Sequence, residues 1–206
     1  MANSTKLPTQ FENNQPSQDE TDWDNMTNAG ANDAAYAENL FNSGHGALSS
    51  YLMCFDFEFN IPTSSTIDGI SVSVERYRGT GDIIKDYSIK LFSAPSKNFI
   101  GNDKVGSPGL TWDTSPSVST YGGPTDMWGT SLTASDINEI NFGVGIQAEA
   151  EFSGYGSSEA YIDYVEMTVF YTEFSGGVKF GSSSIQKIFF GSTEINKVMF
   201  GSSQVF

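Results

Sequence analysis

The sequence predicts an all-β protein: an antiparallel, jelly-roll-like β-sandwich with an extended N-terminal arm and a small C-terminal β-meander. Short runs alternate apolar and polar side chains, and turn-forming residues separate these runs. No segment beyond about ten residues carries the apolar stripe of a helix. Charged residues make up only 17% of the 206 residues, and aromatic residues make up 14%. A chain of this length and composition has enough apolar area for one sandwich core.

Composition divides the chain into three parts. Residues 1–20 form the predicted arm, residues 21–173 the sandwich, and residues 174–206 three ten-residue β-repeats. The arm is polar and without strand or helix periodicity, and it carries two apolar candidates for partner contacts, Leu7 and Phe11. Fully extended, it spans on the order of 65 Å at about 3.3 Å per residue, enough to reach a neighbouring subunit.

The strongest strand signal in the body is the run 51–59, in which every second residue is aromatic or Met. We expect these alternate residues to share one buried face. In the next run, 69–77, Ile70, Val72 and Val74 are expected to point inward. Further strands are predicted at residues 87–92, 141–147 and 160–171.

Two segments are predicted to be irregular. Residues 101–130 are rich in Gly, Pro and Ser, so we expect long surface loops there. Residues 133–138 make at most one helical turn, with Thr133 as its N-cap.

The C-terminal part contains three copies of a ten-residue unit, beginning at Val178, Ile188 and Val198. Each copy places Phe-Gly-Ser at the same phase. A period this short indicates assembly rather than chemistry.

We predict strands at residues 185–190 and 195–200 of the repeats, with four-residue loops at 191–194 and 201–204. So few strands are marginal alone in water. They are expected to pack on the body, on other copies in a homo-oligomer, or on a different protein. The candidate contact residues are Phe180, Phe190, Phe200, Ile185, Ile195 and Val205.

The net charge of −15 opposes binding to nucleic acid and to anionic membrane surfaces. We expect no secretory signal and no membrane span, because the start is polar and no run of about 18 apolar residues occurs. The single cysteine, Cys54, cannot form an internal disulfide, and we expect it to be a buried, inert thiol.

Few residues suggest catalysis. The only histidine, His45, lies among glycines without the spacing of a zinc site or a catalytic triad. Acidic residues that a glycosidase would need occur only as scattered candidates, and strand alternation is expected to place Asp163 outward. These candidates are Glu149, Glu151, Asp163 and Glu166. We therefore expect a protein that is not an enzyme and needs no cofactor.

Two binding hypotheses remain open. Asp22, Asp24 and Asp33 lie where the chain enters the sandwich, and they could supply oxygen ligands to calcium, although Asp in such a segment also makes turns. Trp112, with His45, could bind a glycan by ring stacking, although a sandwich tryptophan is equally often a packing residue. Packing is the favoured interpretation for Trp23 and Trp128.

Several short motifs follow one another over residues 22–172. They lie at residues 22–25, 28–29, 33–37, 61–75, 121–123, 126–129, 133–138, 141–144 and 162–171. In this order they resemble a jelly-roll module of tailed-phage virion proteins and of some bacterial surface proteins. The C-terminal Gly-Ser-x-x-Ile-x-Lys units are similar to short repeats that end many phage tail and virion proteins.

This resemblance implies a virion structural protein assembled in the host bacterial cytoplasm. A capsid decoration, cement or head-fibre role is the first interpretation, with docking on neighbouring subunits through both termini. A tail or baseplate component, or a carbohydrate-binding host-recognition adhesin, is the alternative. The implied partners are other virion proteins and further copies of the chain, for example in a trimer.

Overall fold

The structure is a computed structural model that describes residues 1–43 and 47–174, together with short paired segments between residues 179 and 204. The chain divides into two compact units, Met1–Thr172 and Glu173–Phe206. The first unit consists of two antiparallel sheets packed face to face, which confirms the predicted all-β sandwich.

The first sheet has six strands: β1 (Ala2–Lys6), β3 (Trp23–Asp24), β4 (Ala37–Asn42), β6 (Thr66–Arg78), β9 (Ser117–Gly123) and β11 (Ser157–Thr172). Their order is β3-β4-β11-β6-β9, and β1 also pairs with β11. The second sheet has five strands: β2 (Gln10–Asn14), β5 (Tyr51–Phe55), β7 (Ile83–Ser93), β8 (Asn98–Ile100) and β10 (Gly143–Glu151). Their order is β2-β5-β10-β7-β8.

The N-terminal segment differs from the predicted arm. Strand β1 pairs with β11 in the first sheet, and β2 pairs with β5 in the second. Phe11 packs against the main core, and Leu7 is half-buried in the link between the two strands. Because residues 2–6 and 10–14 complete both sheets of their own unit, the prediction of a free arm that places Leu7 and Phe11 on a neighbour is wrong.

The alternation of apolar and polar residues correctly predicted the buried face of β6, but it was wrong for the run 51–59. Ile70, Val72 and Val74 of β6 are fully buried between the sheets, as expected. The run 51–59 is a strand only as far as Phe55, because positive φ angles at Asp56 (56°) and Glu58 (51°) end the extended backbone.

Strand β5 is consequently buried on both faces. Leu52 and Cys54 point into the core between the sheets, and burial raises the pKa of the Cys54 thiol. The opposite face belongs to a second apolar cluster, whose members are Tyr51, Met53, Phe55, Phe92 and Phe99. All of these lie on the outer side of the second sheet.

Two glycines of β10 make room for this outer cluster. A Cβ atom on Gly145 would lie 2.7 Å from the Phe99 ring, and one on Gly143 would lie 2.6 Å from the Phe92 ring. The aromatic rings therefore rest directly on the β10 backbone, which explains why Gly occurs inside a central strand.

Two local predictions have opposite outcomes. Thr133 caps the one-turn helix α1 (Ala134–Ile137) by accepting a hydrogen bond from the Asp136 backbone N–H at 3.2 Å, which confirms the predicted cap. The segment 101–130, predicted to be loops throughout, contains strand β9 at the edge of the first sheet.

Asp163 is not the outward residue that simple alternation predicts. The pairing of β11 with β6 shifts register between Ile162 and Tyr164, so Asp163 sits in a bulge and is only 2% exposed. Its carboxylate accepts a hydrogen bond from the Ala34 backbone N–H at 3.0 Å. Asp163 therefore anchors the loop that leads into β4.

The described residues of the second unit form three two-stranded hairpins, one in each repeat. They pair β12 (Lys179–Phe180) with β13 (Ser183–Ser184), β14 (Ile188–Phe190) with β15 (Thr193–Ile195), and β16 (Met199–Phe200) with β17 (Ser203–Gln204). Phe190 pairs directly with Thr193, and the other two repeats have the same register. Only two residues separate the paired strands, so the predicted four-residue loops at 191–194 and 201–204 are wrong.

A buried ion pair joins the two sheets. Arg76 of β6 donates from Nε and Nη2 to the carboxylate of Asp86 on β7, at 3.0 and 2.8 Å, and both side chains are at most 2% exposed. The Tyr121 hydroxyl of β9 donates to the same carboxylate at 2.6 Å, and Trp112 Nε1 donates at 2.8 Å. Asp86 thus accepts hydrogen bonds from three side chains inside the core.

Breaking this ion pair from one side should destabilise the sandwich strongly. Asp86→Leu leaves the Arg76 cation buried without its counter-charge, so we expect a loss of about 3–5 kcal/mol in the free energy of unfolding, measured by urea denaturation. In the Asp86→Leu background, adding Arg76→Met should lower the free energy of unfolding much less than Arg76→Met does alone. Lys90→Met, which removes a half-exposed pair with Asp103, is the control and should cost about 1 kcal/mol or less. A loss for Asp86→Leu as small as that of the control would contradict the assignment.

Deleting residues 1–14 should destabilise the sandwich itself, because these residues are strands of the fold and not an arm that contacts a neighbour. The deletion removes β1 and β2 and uncovers apolar surface beneath Phe11, so we expect a loss of at least about 2 kcal/mol by urea denaturation. An unchanged urea midpoint would show that the segment is dispensable for the fold.

Candidate functional site

The tryptophan proposed for glycan binding is a core residue. Trp112 is 1% exposed and its indole N–H is bound to Asp86, so the hypothesis that its ring stacks on a sugar is wrong. Trp23 and Trp128 are likewise buried, and their indole N–H groups donate to the carbonyls of Ser50 and Ile70, both at 2.9 Å. Packing was the correct interpretation for both. His45, the other proposed glycan residue, lies outside the described residues.

The proposed calcium ligands are not brought together. Asp22, Asp24 and Asp33 are exposed, and the Asp33 carboxylate accepts a hydrogen bond from the Ala35 backbone N–H at 3.0 Å, as a turn residue does. Within residues 1–43 and 47–174, no three acidic, His or Cys side chains converge in a way that could hold a metal ion.

The partner contacts proposed in the repeats remain predictions. Ile195 is half-exposed. The backbones of Phe180, Phe190 and Phe200 each lie at the end of a hairpin strand, whereas Ile185 and Val205 lie outside the described residues.

Most of the carboxylates proposed for a hydrolase have structural contacts. Glu149 and Glu151 both pair with Lys85, and Asp163 is buried against backbone N–H groups. Glu166 lies on the outer face of β11, partly exposed.

A cluster of three tyrosines forms the most distinctive surface feature of the described residues. Tyr77 of β6 and Tyr161 of β11 are directly paired across the strands, and their rings stack with centroids 4.7 Å apart and an interplanar angle of 13°. Because the adjacent Arg76 and Ile162 point into the core, both tyrosines point outward. Tyr36, just before β4, meets the two rings edge-on at 5.1 and 5.9 Å. This arrangement is called the tyrosine cluster below.

A cavity of about 190 Å³ lies beside the tyrosine cluster. Its lining residues come from β3, β4 and β11: Asp24, Glu38, Asn39, Leu40, Glu159 and Tyr161. The Asn39 amide is already engaged, since Oδ1 accepts from the Thr21 hydroxyl and Nδ2 donates to the Thr21 carbonyl. The groups left to meet a ligand are three carboxylates, the exposed Leu40 side chain and the Tyr161 ring.

The carboxylates around the cavity change the acidity of the tyrosines. Burial, followed by a hydrogen bond to Glu159 and the charges of Glu159 and Glu38, raises the pKa of Tyr161 to about 12. Burial and the neighbouring Tyr36, Glu38 and Glu159 also raise the pKa of Tyr77. Both phenols therefore remain neutral donors through the physiological pH range.

Two larger clefts adjoin the buried ion pair. They measure about 330 and 280 Å³, and both are bordered by Asp86 and by the Gly- and Pro-containing segment 105–108. The Asp86 carboxylate is already bound by Arg76, Tyr121 and Trp112, so it has little capacity for a ligand. The cavity beside Tyr161 is the better candidate because its carboxylates, Asp24, Glu38 and Glu159, have no basic partner among the described residues.

Sequence reasoning did not identify the tyrosine cluster. The predicted inward direction of Ile70, Val72 and Val74 already implied that Tyr77 points outward. Pairing Tyr77 with Tyr161, 84 positions later, requires the register of β6 on β11. No spacing in the sequence reports that register.

Comparisons with known proteins add little. No family model matches the chain, and no curated protein matches it. Seven chains of solved structures match. One of them contains the CBM22-1 and GH10 modules of endo-1,4-β-D-xylanase 10B from Clostridium thermocellum, complexed with xylohexaose. The TM-score is 0.39 at 10% identity, over 86% of this chain and 30% of that chain, so this chain spans less than a third of that protein. Among the described residues, no helix has the length and apolar character needed to cross a bilayer.

Removing the Glu159 charge should make Tyr161 more acidic. In Glu159→Gln we expect the pKa of Tyr161 to fall from about 12 towards the ordinary value of 10.0. The pKa is measured by titration, with ultraviolet absorbance or the ring-carbon NMR signal of Tyr161 as the readout. In the native chain, the stability gained from the neutral phenol should be complete below pH 10 and lost as the pH rises through about 12. Glu166→Gln is the matched control and should leave the Tyr161 titration unchanged. An equal shift in both variants would contradict the assignment to Glu159.

Proposed function

We propose that the chain is a non-enzymatic structural protein of a tailed-phage particle. A capsid decoration, cement or head-fibre role is our first choice, and a tail or baseplate role is the second. The observation that carries the proposal is the division into a sandwich whose two sheets are completed by its own N-terminal strands and a second unit of three like hairpins.

The hairpin unit is the proposed attachment device. Each hairpin pairs strands of only two or three residues, and an isolated two-stranded hairpin is marginally stable in water. Three such units in tandem offer three like contacts to a partner, and linked contacts bind together far more tightly than one alone. The partner is a neighbouring copy of the chain or another virion protein.

Of the two terminal tethers that the sequence suggested, the C-terminal unit is the one that remains. The N-terminal strands, which the sequence suggested as a second tether, are used inside the sandwich. The sandwich is then the displayed body of the subunit, and its acidic surface keeps neighbouring copies soluble and apart.

A structural role also agrees with the state of the acidic side chains. Glu149 and Glu151 both pair with Lys85, and the Asp163 carboxylate holds a loop. A hydrolase would need such carboxylates to be free for the substrate, whereas these are bound to structural partners. The adhesin alternative loses its main residue, because Trp112 is buried.

Removing residues 173–206 should separate attachment from folding. We expect the truncated chain to keep the urea midpoint of the full chain, because the deleted residues form a different unit. We also expect it to be absent from particles assembled in a host that expresses only this version. Its mass in solution should fall from an oligomer, such as a trimer, to a monomer. Normal incorporation of a truncated chain that is folded would refute the proposed attachment.

A further inference from the structure

The cavity beside the tyrosine cluster has one aromatic wall with an uncovered face. Tyr77 covers one face of the Tyr161 ring at 4.7 Å. Strand β11 lies between β6 and β4, and the other cavity residues come from β3, β4 and β11 itself. The face of Tyr161 that is turned away from Tyr77 therefore borders the cavity.

The walls on the other sides are acidic. Asp24 of β3 lies directly opposite Glu38 of β4 in the strand pairing. On its other side, Glu38 lies directly opposite Tyr161 of β11. Glu159 lies two residues before Tyr161 on the same outward face of β11. The ion pairs found in the described part of the chain involve none of Asp24, Glu38 and Glu159. The cavity thus combines an exposed ring face with three carboxylates that lack a basic partner there.

These groups fit an organic cation better than a metal ion or a neutral sugar. A metal ion needs ligands that converge on one point, and no three acidic side chains of the described residues do so. A neutral sugar would leave the negative field of the carboxylates uncompensated. An ammonium or guanidinium group gains from both walls, because the face of an aromatic ring attracts cations and carboxylates accept their N–H donors.

The rim adds an apolar contact. The side chain of Leu40 borders the cavity and is 50% exposed. Lysine and arginine carry a charged head on an apolar stem, and the stem packs on such a surface while the head reaches the acidic groups. A long basic side chain therefore matches the cavity along its whole length.

We propose that this cavity receives a lysine or arginine side chain of a protein partner, with the cation against the free face of Tyr161 and its N–H groups donating to Glu38 and Glu159. The proposal rests on the proposed function, since it gives the docking subunit a specific contact on its sandwich. The partner is a protein surface with an exposed basic residue, in keeping with the net charge of −15 on this chain.

The test uses the full chain with ring-carbon-labelled tyrosine and follows the Tyr161 signal by NMR. The probes are N-acetyl-lysine amide and N-acetyl-arginine amide, and the uncharged N-acetyl-norleucine amide is the control for the apolar stem. We expect saturable shifts of Tyr161 with both cations in the millimolar range and none with norleucine. The binding should weaken as salt is added.

Variants locate the site. Glu38→Gln combined with Glu159→Gln should weaken binding of the cations about tenfold, equivalent to about 1.4 kcal/mol. Tyr161→Leu, read from the Tyr77 and Tyr36 signals, should weaken it as well. Glu166→Gln removes a carboxylate from the same face of β11 outside the cavity and should change the affinity less than about twofold.

Three results would overturn the proposal. One is the absence of any Tyr161 shift with either cation up to saturating probe, and another is equal binding of norleucine amide. The third is a shift with a neutral oligosaccharide, titrated in parallel, but not with the cations, which would assign the cavity to a glycan. This titration needs no particle, so its failure leaves the role of residues 173–206 untouched, and a failed truncation experiment leaves the cavity proposal standing.

Discussion

The buried contact between Arg76 and Asp86 is the constraint on which the sandwich depends. A carboxylate and a guanidinium buried together are tolerated only when their hydrogen-bonding groups are satisfied, and Tyr121 and Trp112 complete the shell around Asp86. Apolar contacts between two sheets permit small shifts, whereas this set of directional bonds permits one arrangement. The contact also decides the surface, because holding Arg76 inward turns the next residue, Tyr77, outward into the tyrosine cluster.

Sequence alternation could predict the fold class and the faces of strands that stay regular. Ile70, Val72 and Val74 lie in a long strand without interruption over that stretch, so period two held. The prediction from alternation failed where a strand ends or bulges, because side chains beyond that point no longer alternate between the two faces. Positive φ at Asp56 ends β5 early, and the bulge at Asp163 turns an expected surface residue into a buried anchor. Such events depend on tertiary contacts made by distant residues, which the local pattern does not contain.

The candidate site was beyond sequence reasoning for a related reason. Its cavity gathers side chains from three strands, and only the order β3-β4-β11 makes them neighbours. Trp112, for which the sequence left sugar stacking and packing equally open, lies in the core, where the Asp86 carboxylate of β7 accepts a hydrogen bond from its indole N–H. Aromatic content alone gives the number of rings available for binding, whereas the buried Asp86 and the strand register decide which rings reach the surface.

The register of the middle repeat gives the hairpin unit a physical rationale. In its backbone pairing, Ile188 lies opposite Ile195, Phe189 opposite Glu194 and Phe190 opposite Thr193. A two-stranded sheet cannot bury an apolar face within itself. Under the proposed function the partner supplies a surface for each repeat, and the ten-residue period of the sequence repeats that contact three times. An array with this property is suited to a partner that is itself repetitive, as the subunits of a particle are.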